Sequence, residues 1–214
     1  MTPKIKVTAV LASLLLLAGS ASAQTNTDLG TWSSIQLVKP WAKPYLTARL
    51  EHRSFDHVTA TECYFAALGA GTKVTPWLKA DLGYEYWRVP SAGDITINKA
   101  TAGVTATMSR EALSVILREK YELAFYAGGR TSGTLRSRLR AQYVIPDSRF
   151  TPYMMYEHFQ TLGEGWQRSL HYVGTEIRLT RAQSLDLFYM YHLFPSAAGI
   201  SACNVLGICY SLVL

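Results

Sequence analysis

The chain has 214 residues, a formal net charge of +6 and a mean hydropathy of +0.06, with 49% apolar and 17% charged residues. That mixture is too apolar for a disordered chain and too evenly polar for a bundle of membrane helices. Three cysteines in this length exclude a disulfide-built scaffold.

The first 23 residues read as a secretory signal. Lys4 and Lys6 supply the positive region, Val7 to Ala18 the apolar core, and Ala21-Ser22-Ala23 a small-residue cleavage site. Cleavage after Ala23 leaves a domain over 24–214 of 191 residues, with 19 basic and 15 acidic groups and a net charge of +4. The residue directly after the cleavage point is Gln24 and not a cysteine, which argues against a lipid anchor. Beyond it, no apolar run reaches the roughly 18–20 residues of a membrane helix. A soluble exported domain, a peripheral protein and a membrane β-barrel remain.

The rest of the chain is a series of segments near ten residues long, many alternating with period two. Eleven strands are predicted, at 31–39, 45–53, 61–73, 77–88, 99–109, 112–125, 134–145, 151–159, 167–179, 184–194 and 204–214. The segment from Arg110 to Phe125 has helix-forming residues. Its alternation of Leu113, Val115 and Leu117 against Ser114, Arg118 and Lys120 favours a strand. The predicted connections alternate strictly between short and long, as do periplasmic turns and external loops in outer-membrane barrels.

The two faces separate cleanly. One carries Leu46, Ala48, Leu50, Leu82, Tyr84, Leu187, Tyr189, Leu206 and Ile208; the other carries Arg49, Glu51, Arg53, Asp81, Glu85, Glu176, Arg178 and Asp186. Aromatic residues gather near strand ends, with Trp41, Tyr45, Trp77, Tyr143 and Phe150 by short turns and Tyr84, Tyr86, Phe125, Tyr191 and Phe194 by long loops. Two such bands match interfacial girdles. The fold expectation is therefore all-β: an antiparallel transmembrane β-barrel of ten to twelve strands in the bacterial outer membrane. Two features sit awkwardly with it. Glu119 falls on the lipid-facing register between Leu117 and Tyr121, and eleven is an odd count where even counts are the rule. A bulge or a register slip at Glu119 would account for the first, and a miscount in the poorly alternating segment 31–39 or a strand missed in 89–99 for the second.

The stretch Thr134 to Pro146 carries Arg136, Arg138 and Arg140 at every second position, with Leu139, Ala141 and Tyr143 between and after them. In a barrel the arginines face a wet interior. With Arg118 and Lys120 on the preceding strand they form a basic stripe, opposed locally by Glu122 and Glu157. In all, nine basic and seven acidic groups are assigned to the lumen. Such a stripe would favour anions in any water path. Ladders of ion pairs filling a narrow interior are the structural alternative.

Several short patterns resemble those of one family: Trp32 before the first strand, Arg53 ending the second, Gly83-Tyr84-x-Tyr86, Arg118-Glu119-Lys120-Tyr121, Leu135-Arg136-x-Arg138-Leu139 and Thr151-Pro152-Tyr153-x-x-Tyr156-Glu157. In this order, from Trp32 to Leu214, the chain is similar to small bacterial outer-membrane barrels grouped as a domain of unknown function. The resemblance implies fold and location and brings no catalytic residue with it. The C-terminal strand, apolar at 206, 208, 210, 212 and 214, resembles the assembly signal of such barrels, ending here on Leu214.

Other chemistry is thinly signalled. His52 and Ser54, near Glu51 or Glu62, could imitate a Ser–His–acid set at the rim, which keeps a surface or lipid hydrolase as a third reading. Asp186 and His192 read as satisfied lumen residues. His57, His158 and His171 lack metal-ligand spacing, and no glycine-rich phosphate loop is present. No catalytic residue, cofactor or metal is expected. Basic residues form no exposed run suited to nucleic acid. The expected partners are outer-membrane lipid and, through the C-terminal strand, the barrel-assembly machinery, with the protein a monomer. Whether Cys63 and Cys203 pair is left open. The function expected is a narrow anion-preferring pore; the alternative is a closed structural barrel that binds through its external loops.

Overall fold

Alternating side chains give each segment one face for lipid and one for water, and every predicted segment is a strand. The computed structural model describes residues 27–41, 44–197 and 199–214; the signal-like residues 1–23 and their cleavage site lie outside the described residues. The strands are β1 (Thr27–Pro40), β2 (Pro44–Phe55), β3 (Ala60–Lys73), β4 (Leu78–Val89), β5 (Ile95–Arg110), β6 (Leu113–Tyr126), β7 (Thr131–Tyr143), β8 (Phe150–Thr161), β9 (Gly165–Arg178), β10 (Gln183–Ser196) and β11 (Gly199–Val213). Each pairs with its neighbours in the chain, and β1 pairs with β11, so the sheet closes on itself.

The stretch 89–99 hides no further strand. β4 runs to Val89, one 3-10 turn occupies Pro90–Ala92, and β5 starts at Ile95. An up-and-down path with an odd number of strands leaves the first and last pointing the same way. The seam from Thr27↔Ala202 to Val38↔Val213 is accordingly parallel, where an all-antiparallel sheet was expected. The strict alternation of short and long connections is also corrected. At the rim where odd-numbered strands begin, here the first rim, the connections 56–59, 90–94, 127–130 and 162–164 hold four, five, four and three residues. At the second rim, 74–77, 111–112, 144–149 and 179–182 hold four, two, six and four. Strand pairing runs further into the long connections than alternation of side chains reveals, because backbone hydrogen bonding continues past the last residue that must choose a face.

The outer wall is oily: Leu50, Leu68, Leu82, Val104, Leu139 and Leu206 are exposed. Trp41, Trp77, Tyr143 and Phe150 are exposed near the second rim, and Tyr84, Tyr86 and Phe125 toward the first. Tyr45 and Phe194 leave the predicted girdles. Tyr45 turns inward over Gly71, where a Cβ would lie 2.4 Å from its ring, and Phe194 packs against the interior cluster. Glu119 needs no bulge: its row Val104–Glu119–Ser137 is regular and faces outward. Ser137 Oγ donates to its carboxylate at 2.6 Å, so one neighbour supplies the polar contact that lipid cannot. Leu139 is about half exposed on this wall, between two inward arginines. Leu139→Arg is expected to cost about 2–4 kcal/mol if it sits near mid-depth, read as earlier loss, on heating, of the folded form in unboiled electrophoresis. Leu139→Phe should leave that transition where it is.

The interior has two zones. Toward the first rim, Trp32, Phe65, Trp87, Phe159, Leu170, Tyr172, Met190 and Val205 are buried among Glu51, Arg53, Glu85, Lys120, Glu122 and Glu157. Met190 and Glu157 expose 0% of their surface. Toward the second rim the lining is Thr47, Gly69, Thr105, Thr107, Ser109, Ser114, Ser184 and Ser211, all half-buried or exposed. The barrel is thus a cup, open at the second rim and closed by a packed layer toward the first.

Candidate functional site

Arg118 and Lys120 on β6 and Arg136, Arg138 and Arg140 on β7 all face the interior, in the rows Arg118–Arg138 and Lys120–Arg136. Like charges facing one another across a strand pair repel, and each is countered from elsewhere. Arg118 reaches Asp81 at 2.7 Å and Lys120 reaches Glu85 at 2.5 Å, both on β4. They cross β5 because the residues opposite them there are small, Thr105 and Gly103. A Cβ at Gly103 would come within 3.1 Å of Asp81 Oδ2, so that glycine is what lets the carboxylate lie over β5. Glu122 gathers Lys120 and Lys99 at 3.2 Å each and Arg136 at 3.5 Å. Glu157 takes Arg136 at 2.8 Å and also pairs with Arg138. Arg140 stands over the Tyr153 ring at 3.8 Å and reaches Glu176 at 3.6 Å.

The expected stripe and its two counter-charges therefore come together, inside a larger network. The structure adds Lys73, Lys99 and Arg168 to the nine basic groups assigned to the interior and Asp28 to the seven acidic ones, which makes twelve against eight. Parity could not assign Arg168, whose inward neighbours Leu170 and Tyr172 look like lipid-facing residues.

The aromatic layer also escaped the sequence. Arg53, two residues before the end of β2, holds its guanidinium 3.7 Å from the Trp32 ring centroid, 4.9 Å from Trp87 and 5.3 Å from Phe65, and its Nε donates to Glu51 at 2.6 Å. Phe65 and Trp87 stack with centroids 4.4 Å apart. Trp32, expected as a mark of the family pattern, and Arg53, expected both as such a mark and on the polar face, are structural partners. The signal was the loss of alternation on β3, where Cys63, Phe65 and Ala67 face in while Tyr64, Ala66 and Leu68 face out.

The rim candidates resolve differently. His52 Nε2 lies 3.3 Å from Thr61 Oγ1, whereas Ser54 Oγ bonds the Thr31 N–H and hydroxyl, so the two are not arranged as base and nucleophile. Glu51 is on the opposite face with Arg49 and Arg53. Asp186 accepts from Tyr153 Oη at 2.9 Å. His192 Nε2, expected to be satisfied, is buried with no hydrogen-bond partner among the described residues. Asp28, Asp56 and His57 do meet at the first rim. There Asp28 accepts the backbone N–H groups of Leu29, Asp56 and His57 at 2.8–3.0 Å, which pins the loop 56–59. In the loop after the 3-10 turn, the Arg88 side chain hydrogen-bonds Asp94 and holds its carboxyl below the usual range. Cys63, Cys203 and Cys209 are buried free thiols.

The rims differ in charge. The second carries Lys39, Lys73, Lys79, Arg110, Arg149, Arg178 and Arg181 against Glu111 and Asp147. The first carries Asp28, Asp56, Glu62, Asp94 and Glu164 against Arg88 and Arg130, with Arg88 on Asp94 at 2.7 Å and Arg130 on Glu164 at 3.3 Å.

A closed ring of amphipathic strands, oily outside and ionic within, is a transmembrane β-barrel, and its porin-like build points to an outer-membrane location. The chain belongs to the family described as "Protein of unknown function (DUF2490)", whose model matches residues 29–202. Among solved structures it is similar to the NanC porin, with a TM-score of 0.53 and 11% identity over 78% of this chain and 87% of that one. At that identity the likeness bears on the fold alone. No curated protein matches the chain.

Proposed function

We propose that the protein is exported with cleavage after Ala23, inserts into the bacterial outer membrane as a monomer, and forms a narrow pore that prefers anions. The observation that carries this is the interior excess of basic groups, twelve against eight, three of which (Lys73, Lys79 and Arg178) belong to the basic rim at which the cup opens. In a confined space, fixed charge of one sign raises the local concentration of the other and admits it selectively. Substrate-sized passage would need the buried layer to loosen. That layer favours a second reading, a closed barrel that binds through its rims. No catalytic role is proposed.

Planar-bilayer recording separates the two. The pore reading expects small conductance steps whose reversal potential in a salt gradient lies on the anion side. Arg118→Gln with Arg140→Gln, two interior arginines that stay partly exposed, should move that potential toward the unselective value. Neutral replacements serve better than Arg138→Glu, which would set a carboxylate against buried Glu157. No steps, or a cation-selective potential, would reject the pore and leave the closed barrel.

A further inference from the structure

On the first-rim side of the packed layer, three nitrogen-rich side chains converge from three strands. Arg168 of β9 holds its guanidinium 4.2 Å from the Phe159 ring centroid, and it has no ion pair among the described residues. Its Nε is buried and has no hydrogen-bond partner among the described residues. On β10, His192 Nε2 is in the same condition, its ring 4.9 Å from Phe194. Arg53 of β2 uses its Nε on Glu51 and its face on Trp32. Arg53 and Arg168 are close enough to act on one another electrostatically, and both act on His192. Glu122 and Glu62 act on Arg168 from beyond ion-pair distance.

A buried N–H without an acceptor costs free energy, and so do like charges gathered away from water. One structure carries both costs at neighbouring residues of adjacent strands. An oxyanion between them would satisfy both at once: it accepts from Arg168 Nε and His192 Nε2 and offsets the mutual repulsion of the two guanidinium groups. We propose that Arg168, His192 and Arg53 form a binding site for a single oxyanionic group, a carboxylate or phosphate carried by a free solute that enters at the first rim. All three side chains face the interior. A lipid headgroup, whose tails stay on the outer wall, cannot reach them. Of the rim carboxylates, Asp94 and Glu164 are matched by Arg88 and Arg130, Asp28 accepts backbone N–H groups, Asp56 accepts the Thr59 hydroxyl, and Glu62 carries no ion pair among the described residues.

The site deepens the anion-pore reading but is tested without current, so failure of either leaves the other standing. Trp32 and Trp87 contact Arg53, and their fluorescence reports on the cluster. The folded barrel in nonionic detergent is titrated with sodium acetate and with sodium phosphate, against sodium chloride at equal ionic strength. The expected result is a saturable change with one or both oxyanions. Arg168→Gln should weaken it about tenfold or more, since one charge-assisted contact is lost. His192→Leu should weaken it less, and Arg181→Gln, in a loop of the opposite rim, should leave it unchanged. Each variant is first checked for heat-modifiable migration; if Arg168→Gln does not fold, Arg168→Lys keeps the charge, lacks Nε, and should show the same weakening. No saturable change in the unaltered protein, or an undiminished response in the folded Arg168 variant, overturns the proposal.

Discussion

Replacing Glu157 by leucine is expected to cost about 3–5 kcal/mol, the usual result of leaving a buried charge without its partner. Glu157 exposes none of its surface and is shared by Arg136 and Arg138. Arg136 retains a longer contact to Glu122 at 3.5 Å, whereas Arg138 has no second carboxylate among its ion pairs. The folded form should vanish, on heating before electrophoresis, well below the temperature that the unaltered barrel survives. The informative comparison is the double variant Glu157→Leu with Arg138→Met. It removes the orphaned guanidinium with its partner and should recover part of the loss. Equal loss in the single and double variants would mean that the pair is not coupled and that packing around residue 157 dominates.

The second large effect concerns the layer that closes the cup. Phe159 and Met190 belong to one buried cluster with Trp32, Leu170, Tyr172 and Val205, and neither has a polar atom that a neighbour needs. Truncating both to alanine removes bulk from the packed layer without breaking an ion pair, at the loss of the Phe159 ring that lies beneath Arg136 and Arg168. Conductance should rise several-fold, and the anion preference should survive, since Arg136, Arg138 and Arg168 remain. Each truncation forfeits roughly 2–5 kcal/mol of packing, so folding is confirmed by migration before recording. Unchanged conductance in a folded double variant would place the restriction elsewhere.

The sequence disclosed what alternates and concealed what does not. Arg136, Arg138 and Arg140 could be placed because Leu139, Ala141 and Tyr143 stand between them, and a one-residue slip would have put three charges into lipid. The same logic located Arg118, Lys120 and Glu122. It failed on β3 and around Leu170 and Tyr172 on β9, where the interior is itself apolar and both faces look alike. It also failed for distant pairs. That Arg118 meets Asp81, 37 residues earlier, depends on the small size of Gly103 on the strand between, a fact about three strands at once. Nor could local pattern show that Ser54 and His52 use different partners, since a single bulge between Arg53 and Ser54 sets their surroundings.

The seam between β1 and β11 has a meaning for assembly. Its residues lie far apart along the chain; Asp28 and Cys203, which sit opposite one another there, are 175 positions apart. Every other strand pair is a hairpin that neighbours in sequence can form early, but this one must wait for the whole polypeptide. Until then the sheet is a curved ribbon with two open borders, each offering unpaired N–H and C=O groups to any strand nearby. Ring closure is therefore a late, single event, and a nascent barrel of this kind must be sheltered along both borders until its ends meet.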